Sequence, residues 1–136
     1  MLRVKTENSH KEFVEFIHSW FDLLAKGEVD RACEDLDRLN SYGIRWTAEK
    51  IENVVKDNFG PGTVFSSNHP EGPVFTTVIE TNGKSRADIV KFNDGSGFSV
   101  EHDVPLNGEW SDLTAQFEFL GKIPEFKVVL HDLHVL

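Results

Sequence analysis

The chain has 136 residues and a mass of 15.4 kDa, a length that suits a single domain over residues 1–136 with its own hydrophobic core. Hydrophobic residues make up 39% of the chain and 11 residues are Phe, a composition that excludes a disordered protein. Because 14 Lys and Arg stand against 23 Asp and Glu, the net charge of −9 disfavours nucleic acid and anionic membranes as partners. The charge indicates either an acidic solvated surface, the interpretation we favour, or a surface that attracts a basic protein partner.

A flexible tail and an amphipathic helix are predicted at the start of the chain. Residues 1–9 are polar, which is typical of a flexible tail. Ser9 is a candidate N-cap with Glu12 three residues later, as in a capping box, and Gly27 is the predicted helix end. Between these ends, apolar residues recur at helical spacing, at Phe13, Phe16, Ile17, Trp20 and Leu24.

Two further helices are predicted before a long loop. The second begins near Glu28, and its expected apolar face consists of Val29, Ala32, Cys33, Leu36 and Leu39. Thr47 is the predicted N-cap of the third, whose inward residues are expected to be Ile51, Val54, Val55 and Phe59. Residues 60–73 are rich in Gly, Pro, Ser and Asn. They form either a crossover connection, the interpretation we favour, or a functional loop.

The rest of the chain is predicted to form strands. The expected strands are residues 73–81, 85–92, 97–105, 109–120 and 125–135. Turn signals separate them at Asn82–Gly83, Asn93–Gly97, Asn107–Gly108 and Gly121–Pro124. Such turns between successive strands predict an antiparallel meander. The predicted fold class is therefore α+β, with the three N-terminal helices packed on a strongly bent antiparallel sheet.

The last predicted strand bears on the oligomeric state. Its apolar residues fall in both alternating phases, Phe126, Val128 and Leu130 in one and Val129, Leu133 and Val135 in the other. The second sheet face is therefore expected to be partly covered, and a homodimer through the sheet would cover it.

Features that bear on location point to the cytoplasm. The single cysteine, Cys33, excludes an internal disulfide and favours a reducing compartment. No signal-peptide pattern opens the sequence, and no apolar run is long enough to cross a membrane. We therefore expect a cytoplasmic protein without membrane association.

The first two predicted helices carry a family resemblance. Phe16–Phe21 runs into Leu24–Asp30, and the pattern continues through Ala32–Cys33 and Leu36–Asp37. With a third helix and a meander after it, this stretch resembles the opening of NTF2-like domains, the nuclear transport factor 2 superfamily. The resemblance implies a cone-shaped fold with a pocket, and a role as enzyme, ligand carrier, dimerisation module or toxin-immunity protein. Two stretches depart from that pattern and look like signatures of a small bacterial subgroup, Ser41–Thr47 and Val104–Thr114.

His102 is the one catalytic candidate in the sequence. Strand alternation places it on an apolar face with Phe98, Val100 and Val104. It is either a general base or a core histidine bonded to a carboxylate or a carbonyl, and the second is favoured. The flanking acids, Glu101 and Asp103, point to the opposite face, so they form no triad with it unless a bulge near Pro105 reorients them. Asp112 is expected on a solvated face together with Trp110.

The predicted ligand-binding residues are Trp46, His102 and Trp110. Both tryptophans lie at element starts, where they line a pocket mouth or an interface, or serve plain packing. No metal site is predicted, because His131 and His134 lie three apart on a strand and face opposite sides. No role is assigned to His10, His18 or His69. No cofactor is expected, because phosphate-binding and nucleotide-binding loop motifs do not occur.

Three functions remain open on these grounds. The first is a non-catalytic binding domain of NTF2-like fold with a pocket near the three predicted site residues. The second is an immunity or antitoxin-type protein that binds a basic toxin, as the net charge of −9 favours. The third is a small isomerase, dehydratase or hydrolase that uses His102.

Overall fold

The computed structural model of the chain describes residues 1–5, 8–65 and 71–135. Within these residues it has three helices and five strands, in the order β1 (Leu2–Arg3), α1 (Ser9–Ala25), α2 (Val29–Glu34), α3 (Ala48–Phe59), β2 (Ala87–Lys91), β3 (Gly97–Leu106), β4 (Glu109–Lys122) and β5 (Glu125–Val135). The helices pack on a curled antiparallel sheet of order β1-β5-β4-β3-β2. The predicted α+β class, with helices on a bent antiparallel sheet, is confirmed.

The first residues of the chain belong to the sheet. Leu2 and Arg3 pair with β5, and the Val4 amide donates to the Pro124 carbonyl at 2.8 Å. Val4 itself is fully buried. Residues 1–9 are predicted as a flexible tail, but a strand of two residues has too short a pattern to be recognised in a polar stretch. Residues 6 and 7 of that tail lie outside the described part of the chain.

The first helix buries the face that the spacing predicts, with two differences at its margins. Phe13, Ile17, Trp20 and Leu24 are buried, together with Phe21. Phe16 is half-buried against the core. Asn8 occupies the N-cap position, so the predicted cap, Ser9, is the first helical residue and is itself buried.

The second helix ends earlier than its apolar spacing predicts. It stops at Glu34, because Asp37 bonds to β5 and draws the chain away. The Asp37 amide donates to the Val128 carbonyl at 2.8 Å, and its carboxylate accepts from the Val128 amide at 2.7 Å. Leu39, expected on the apolar face of this helix, is 45% exposed as a result.

The third helix follows the prediction at its start. Its N-cap is Thr47, whose hydroxyl accepts from the Lys50 amide at 3.3 Å. Ile51 and Val55 are fully buried beneath it. Phe59, predicted to face inward, is the last residue of the helix and is 38% exposed.

The first predicted strand, residues 73–81, does not form. Phe75 makes a single bridge to Leu106, and the chain then turns, with the Thr81 amide donating to the Val78 carbonyl at 3.1 Å. An Asp22 carboxylate oxygen of α1 accepts from the Val78 amide at 2.8 Å and so holds this turn on the helix. The Asn82–Gly83 signal therefore joins no hairpin. The other three predicted turns lie between consecutive strands of the meander from β2 to β5.

The β3–β4 pairing contains an irregularity that reorients one predicted site residue. Asp103 pairs with Thr114 and Pro105 pairs with Trp110, so β4 has two extra residues between these pairs. The Ser111 hydroxyl donates to the Val104 carbonyl at 2.7 Å and accepts from the Leu113 amide at 3.2 Å, which satisfies backbone groups at the break. Strict alternation predicts Trp110 beside exposed Asp112, but the break turns the Trp110 ring inward.

A second irregularity, in β5, changes the apolar pattern of the last strand. Gln116 pairs with Asp132 and Phe117 with Leu130, so His131 is an extra residue opposite β4. Beyond it the alternation reverses, and Leu133 joins Leu130 on the buried side. Part of the two-sided apolar pattern behind the homodimer prediction is therefore explained within one chain. The homodimer stays a prediction.

Candidate functional site

His102 lies on the helix-facing side of β3, as the alternation predicts. It is 1% exposed, and its neighbours on that face, Val100 and Val104, are fully buried. Phe21 of α1 lies against its ring, with centroids 5.4 Å apart. The side chain is therefore part of the packed interior between the first helix and the sheet.

A second histidine, His18 of α1, completes this site. The two Nε2 atoms of His18 and His102 lie 2.9 Å apart, and the rings are nearly perpendicular, at 87°. His102 Nδ1 lies 2.7 Å from the Asp103 carbonyl oxygen. A carbonyl only accepts, so this geometry assigns the proton of neutral His102 to Nδ1 and makes its Nε2 the acceptor. His18 then donates from Nε2, and one proton links helix and strand.

Burial keeps both histidines neutral at pH 7. Burial lowers the pKa of His102 from its ordinary value of 6.5, and the nearby His18 ring lowers it further, against the opposing effects of the Asp103 carbonyl and carboxylate. Burial likewise lowers the pKa of His18, although the Asp22 and Glu15 carboxylates oppose the shift. Protonation of His102 at Nε2 would place two N–H donors opposite each other, so the hydrogen bond between the two rings would be lost.

Trp110 is brought to the same place. Its ring centroid lies 5.4 Å from that of His102 and 5.9 Å from that of His18. Its indole N–H points toward the Gly83 carbonyl at 3.3 Å. We call His18, Phe21, His102 and Trp110 the histidine cluster. The structure therefore brings together two of the three predicted ligand-binding residues, His102 and Trp110.

Trp46 lies elsewhere. Its indole N–H donates to the Leu130 carbonyl of β5 at 2.7 Å. Beside it is a cavity of about 280 Å³, which we call the Trp46 cavity and which is lined by Cys33, Leu36, Asp37, Arg38, Leu39, Arg45 and Trp46. Neither His102 nor Trp110 belongs to this lining. The three predicted ligand-binding residues therefore lie at two separate places, the histidine cluster and the Trp46 cavity.

Comparison with known proteins places the chain in a family. Residues 21–136 match the model of a domain of unknown function, DUF7668. The chain belongs to this family. Searches among curated proteins and among solved structures each gave no match. The matched residues include Trp46, His102 and Trp110, and begin after His18.

The other candidate residues do not join either place. Asp103 points away from His102, since its carboxylate accepts from the Arg86 amide at 3.1 Å, so the bulge does not create a triad. Asp112 is exposed, as predicted. His131 and His134 have different acidic neighbours, Glu118 at 3.8 Å and Asp132 at 3.1 Å respectively.

Two further observations concern the described part of the chain as a whole. Over residues 1–5, 8–65 and 71–135, His, Cys, Asp and Glu side chains form no group of three or more that would suit a metal ion. In the same ranges, no helix combines the length and the apolar character needed to cross a membrane. His69, to which the sequence assigns no role, lies outside these ranges.

His18 is the site residue that sequence reasoning missed. A signal exists, because His18 precedes Phe21 and Asp22 by three and four positions and so shares their side of α1. This side borders the apolar stripe. The partner of His18 is 84 residues away along the chain, however, and helical spacing carries no information about which strand residue it meets.

Proposed function

We propose that this protein is a non-catalytic binding domain whose ligand site is the Trp46 cavity. The observation that carries the proposal is the cavity itself, which opens where the chain leaves α2 and before α3 begins. Its volume, about 280 Å³, is just below the range of about 300–1,000 Å³ that small-molecule sites occupy. Its lining combines apolar side chains, among them Trp46 and Leu36, with the charged groups of Asp37, Arg38 and Arg45, and convergent polar groups beside apolar surface are a feature of ligand sites.

The histidine cluster supports a structural role for His102 in this proposal. A general base must come within hydrogen-bond reach of the proton that it removes. The two ring nitrogens of His102 lie at 2.9 Å and 2.7 Å from partners within the protein, and the ring is 1% exposed. Substrate would have to displace His18 or Trp110 first. An isomerase, dehydratase or hydrolase that uses His102 is therefore the weaker proposal.

We also propose a distant relation to NTF2-like domains and a cytoplasmic location. The relation is supported by the order of elements, three helices followed by a curled antiparallel sheet. The chain differs from the pattern described above in the short strand β1, which pairs with β5 before the first helix begins. The location is supported by a single cysteine, half-buried and unable to form an internal disulfide.

Fluorescence can test the ligand site, because one of the three tryptophans lines it. We expect hits from a fragment library, found by thermal shift, to change tryptophan emission. The substitution Trp46→Phe should weaken them about tenfold or more, since the indole forms a wall of the cavity. Trp110→Phe is the matched control and should leave affinity unchanged. Hits that depend on His102, and not on Trp46, would move the site to the histidine cluster. Hits that depend on Trp110 alone would move it to the cavity of about 360 Å³ that Trp110 lines together with Phe59 and Leu106.

A second candidate function has a specific observation in its favour. The outer sheet face carries a row of directly paired residues, Asp88, Glu101, Gln116 and Asp132, across β2 to β5. Like charges directly opposite one another, as in Asp88 and Glu101, cost stability. A basic surface placed over this acidic row would relieve that repulsion. We propose, as the alternative, an immunity-type protein that binds a basic toxin through this face.

Native mass spectrometry of the protein purified from its host tests this alternative. A basic protein should co-purify at low salt and dissociate as salt is added, because exposed charges are screened. The triple variant Asp88→Asn, Glu101→Gln, Asp132→Asn should lose it. The matched control changes three exposed helical acids, in Asp30→Asn, Glu34→Gln, Glu49→Gln, and should retain it. A partner that survives the first variant, or the lack of any basic partner, contradicts the alternative.

A further inference from the structure

Four of the seven residues that line the Trp46 cavity are uncharged, and the other three are Asp37, Arg38 and Arg45. The Trp46 indole N–H is already bonded to the Leu130 carbonyl, so the side chain offers the cavity its ring and not its donor. Burial raises the pKa of the Cys33 thiol, and the Asp30 and Glu34 carboxylates raise it further, so Cys33 stays a neutral thiol at pH 7. Leu36 and Leu39 are the two aliphatic residues of the lining. These walls suit a small apolar body.

The Trp46 cavity has one negatively charged lining residue, which is bonded within the protein, and two positively charged ones. The lining contains one carboxylate, Asp37, whose two oxygens accept from the Val128 amide at 2.7 Å and from the Met1 amino group at 2.6 Å. The lining also contains Arg38 and Arg45, both exposed. Among the residues that the structure describes, neither guanidinium has a carboxylate within 4.0 Å. Two arginines with no carboxylate partner in the described part of the chain therefore border one cavity, in a protein of net charge −9.

We infer that the Trp46 cavity binds a small anionic ligand with a planar apolar body, a carboxylate or a phosphate on an aromatic ring. This inference rests on the proposed function and names its ligand class. The planar guanidinium presents paired donors that match a carboxylate or a phosphate, and charge-assisted bonds of this kind are about twice as strong as neutral ones. The ring lies against Trp46 and Leu36, and the anion lies toward Arg38 and Arg45. The cavity of about 280 Å³ limits the body to about one ring.

Calorimetry with matched probes tests the inference. Benzoate and phenyl phosphate are the anionic probes, and benzyl alcohol is the neutral probe of similar size. We expect at least one anionic probe to bind about tenfold or more tightly than benzyl alcohol. Arg38→Gln and Arg45→Gln should each weaken that probe, and the double variant should weaken it most. Arg31→Gln, an exposed arginine of α2 outside the lining, is the control and should change nothing.

The outcomes separate the ligand class from the site. Equal binding of benzyl alcohol and benzoate, weakened by Trp46→Phe, would overturn the anionic class and leave the cavity as the site. Anion binding that persists in the Arg38→Gln, Arg45→Gln double variant would overturn the role of the two arginines. Lack of binding by both anionic probes would also overturn the inference. Both arginines are exposed, so these variants are expected to fold, and a thermal melt verifies it.

Discussion

Replacing Phe13 by alanine is expected to lower the free energy of unfolding by about 3–5 kcal/mol. Phe13 is fully buried and stacks on Phe119 of β4 with centroids 4.2 Å apart. It also meets Phe126 of β5 edge-on at 5.0 Å and Phe98 of β3 at 5.2 Å. One side chain of α1 thus joins three strands, and its loss leaves a cavity that rigid neighbouring rings cannot fill.

Urea denaturation followed by circular dichroism measures this effect. The midpoint should fall while the slope of the transition stays the same, which indicates an altered native packing and not an altered unfolded state. Phe59→Ala is the matched control, because Phe59 is 38% exposed at the end of α3. It should cost less than about 1 kcal/mol. Similar losses for Phe13→Ala and Phe59→Ala would show that the aromatic cluster does not join helix and sheet as described.

Replacing His102 by leucine is the second large effect that we expect. The substitution keeps an apolar side chain of comparable size in the interior, but it leaves the Asp103 carbonyl and the His18 Nε2–H without their partner. An unsatisfied buried polar group costs about 1–3 kcal/mol. We expect a loss of that size at pH 7, measured by urea denaturation. Unchanged or increased stability would show that the histidine pair contributes nothing to the fold at this pH.

The same pair predicts how stability depends on pH. Both histidines have their pKa lowered in the folded state, chiefly by burial, so below the ordinary value of 6.5 the unfolded chain binds more protons than the folded one. The free energy of unfolding should therefore be greatest above about pH 6.5 and fall as the pH drops through the lowered pKa values. His102→Leu removes one of these titrations and should reduce the pH dependence.

A control variant and a spectroscopic measurement make this test specific. His131→Gln changes a half-buried histidine on the other side of the sheet and should keep the pH dependence, since His18 and His102 both remain. Nitrogen-15 NMR of the imidazoles should show His102 protonated at Nδ1 and His18 at Nε2 at pH 7. The opposite tautomers, or a full pH dependence in His102→Leu, would contradict the arrangement. The spectrum does not depend on whether the variant folds.

Local patterns in the sequence predicted much of the fold. Phe13, Ile17, Trp20 and Leu24 recur at helical spacing, and all four are buried under α1. The Asn107–Gly108 pair predicts a tight hairpin because both residues accept positive φ, and they have φ values of 54° and 78°. Such features depend on neighbours within a few residues, so a single sequence contains the information.

The sequence predicted one histidine of the candidate site and not the other. Strand alternation correctly placed His102 on the buried face, because Val100 and Val104 lie two residues away on either side. His18 could not be assigned to it, since helix spacing does not say which strand lies beneath a helix. Trp46 and Trp110 are both large aromatics at element starts, so the sequence predicts one site for the two of them, yet they line different places.

Composition and short-range periodicity were enough to identify an acidic α+β domain with three helices before a meander, because they reflect burial along each element. The end of α2, the direction of the Trp110 ring and the histidine partner of His102 are visible only in the folded chain. These depend on contacts between distant segments, such as Asp37 with Val128 and His18 with His102. Bulges in β4 and β5 also reverse the alternation on which face assignments rest. These features are stabilised by packing between distant segments of the sheet, and a local sequence pattern contains no information about such packing.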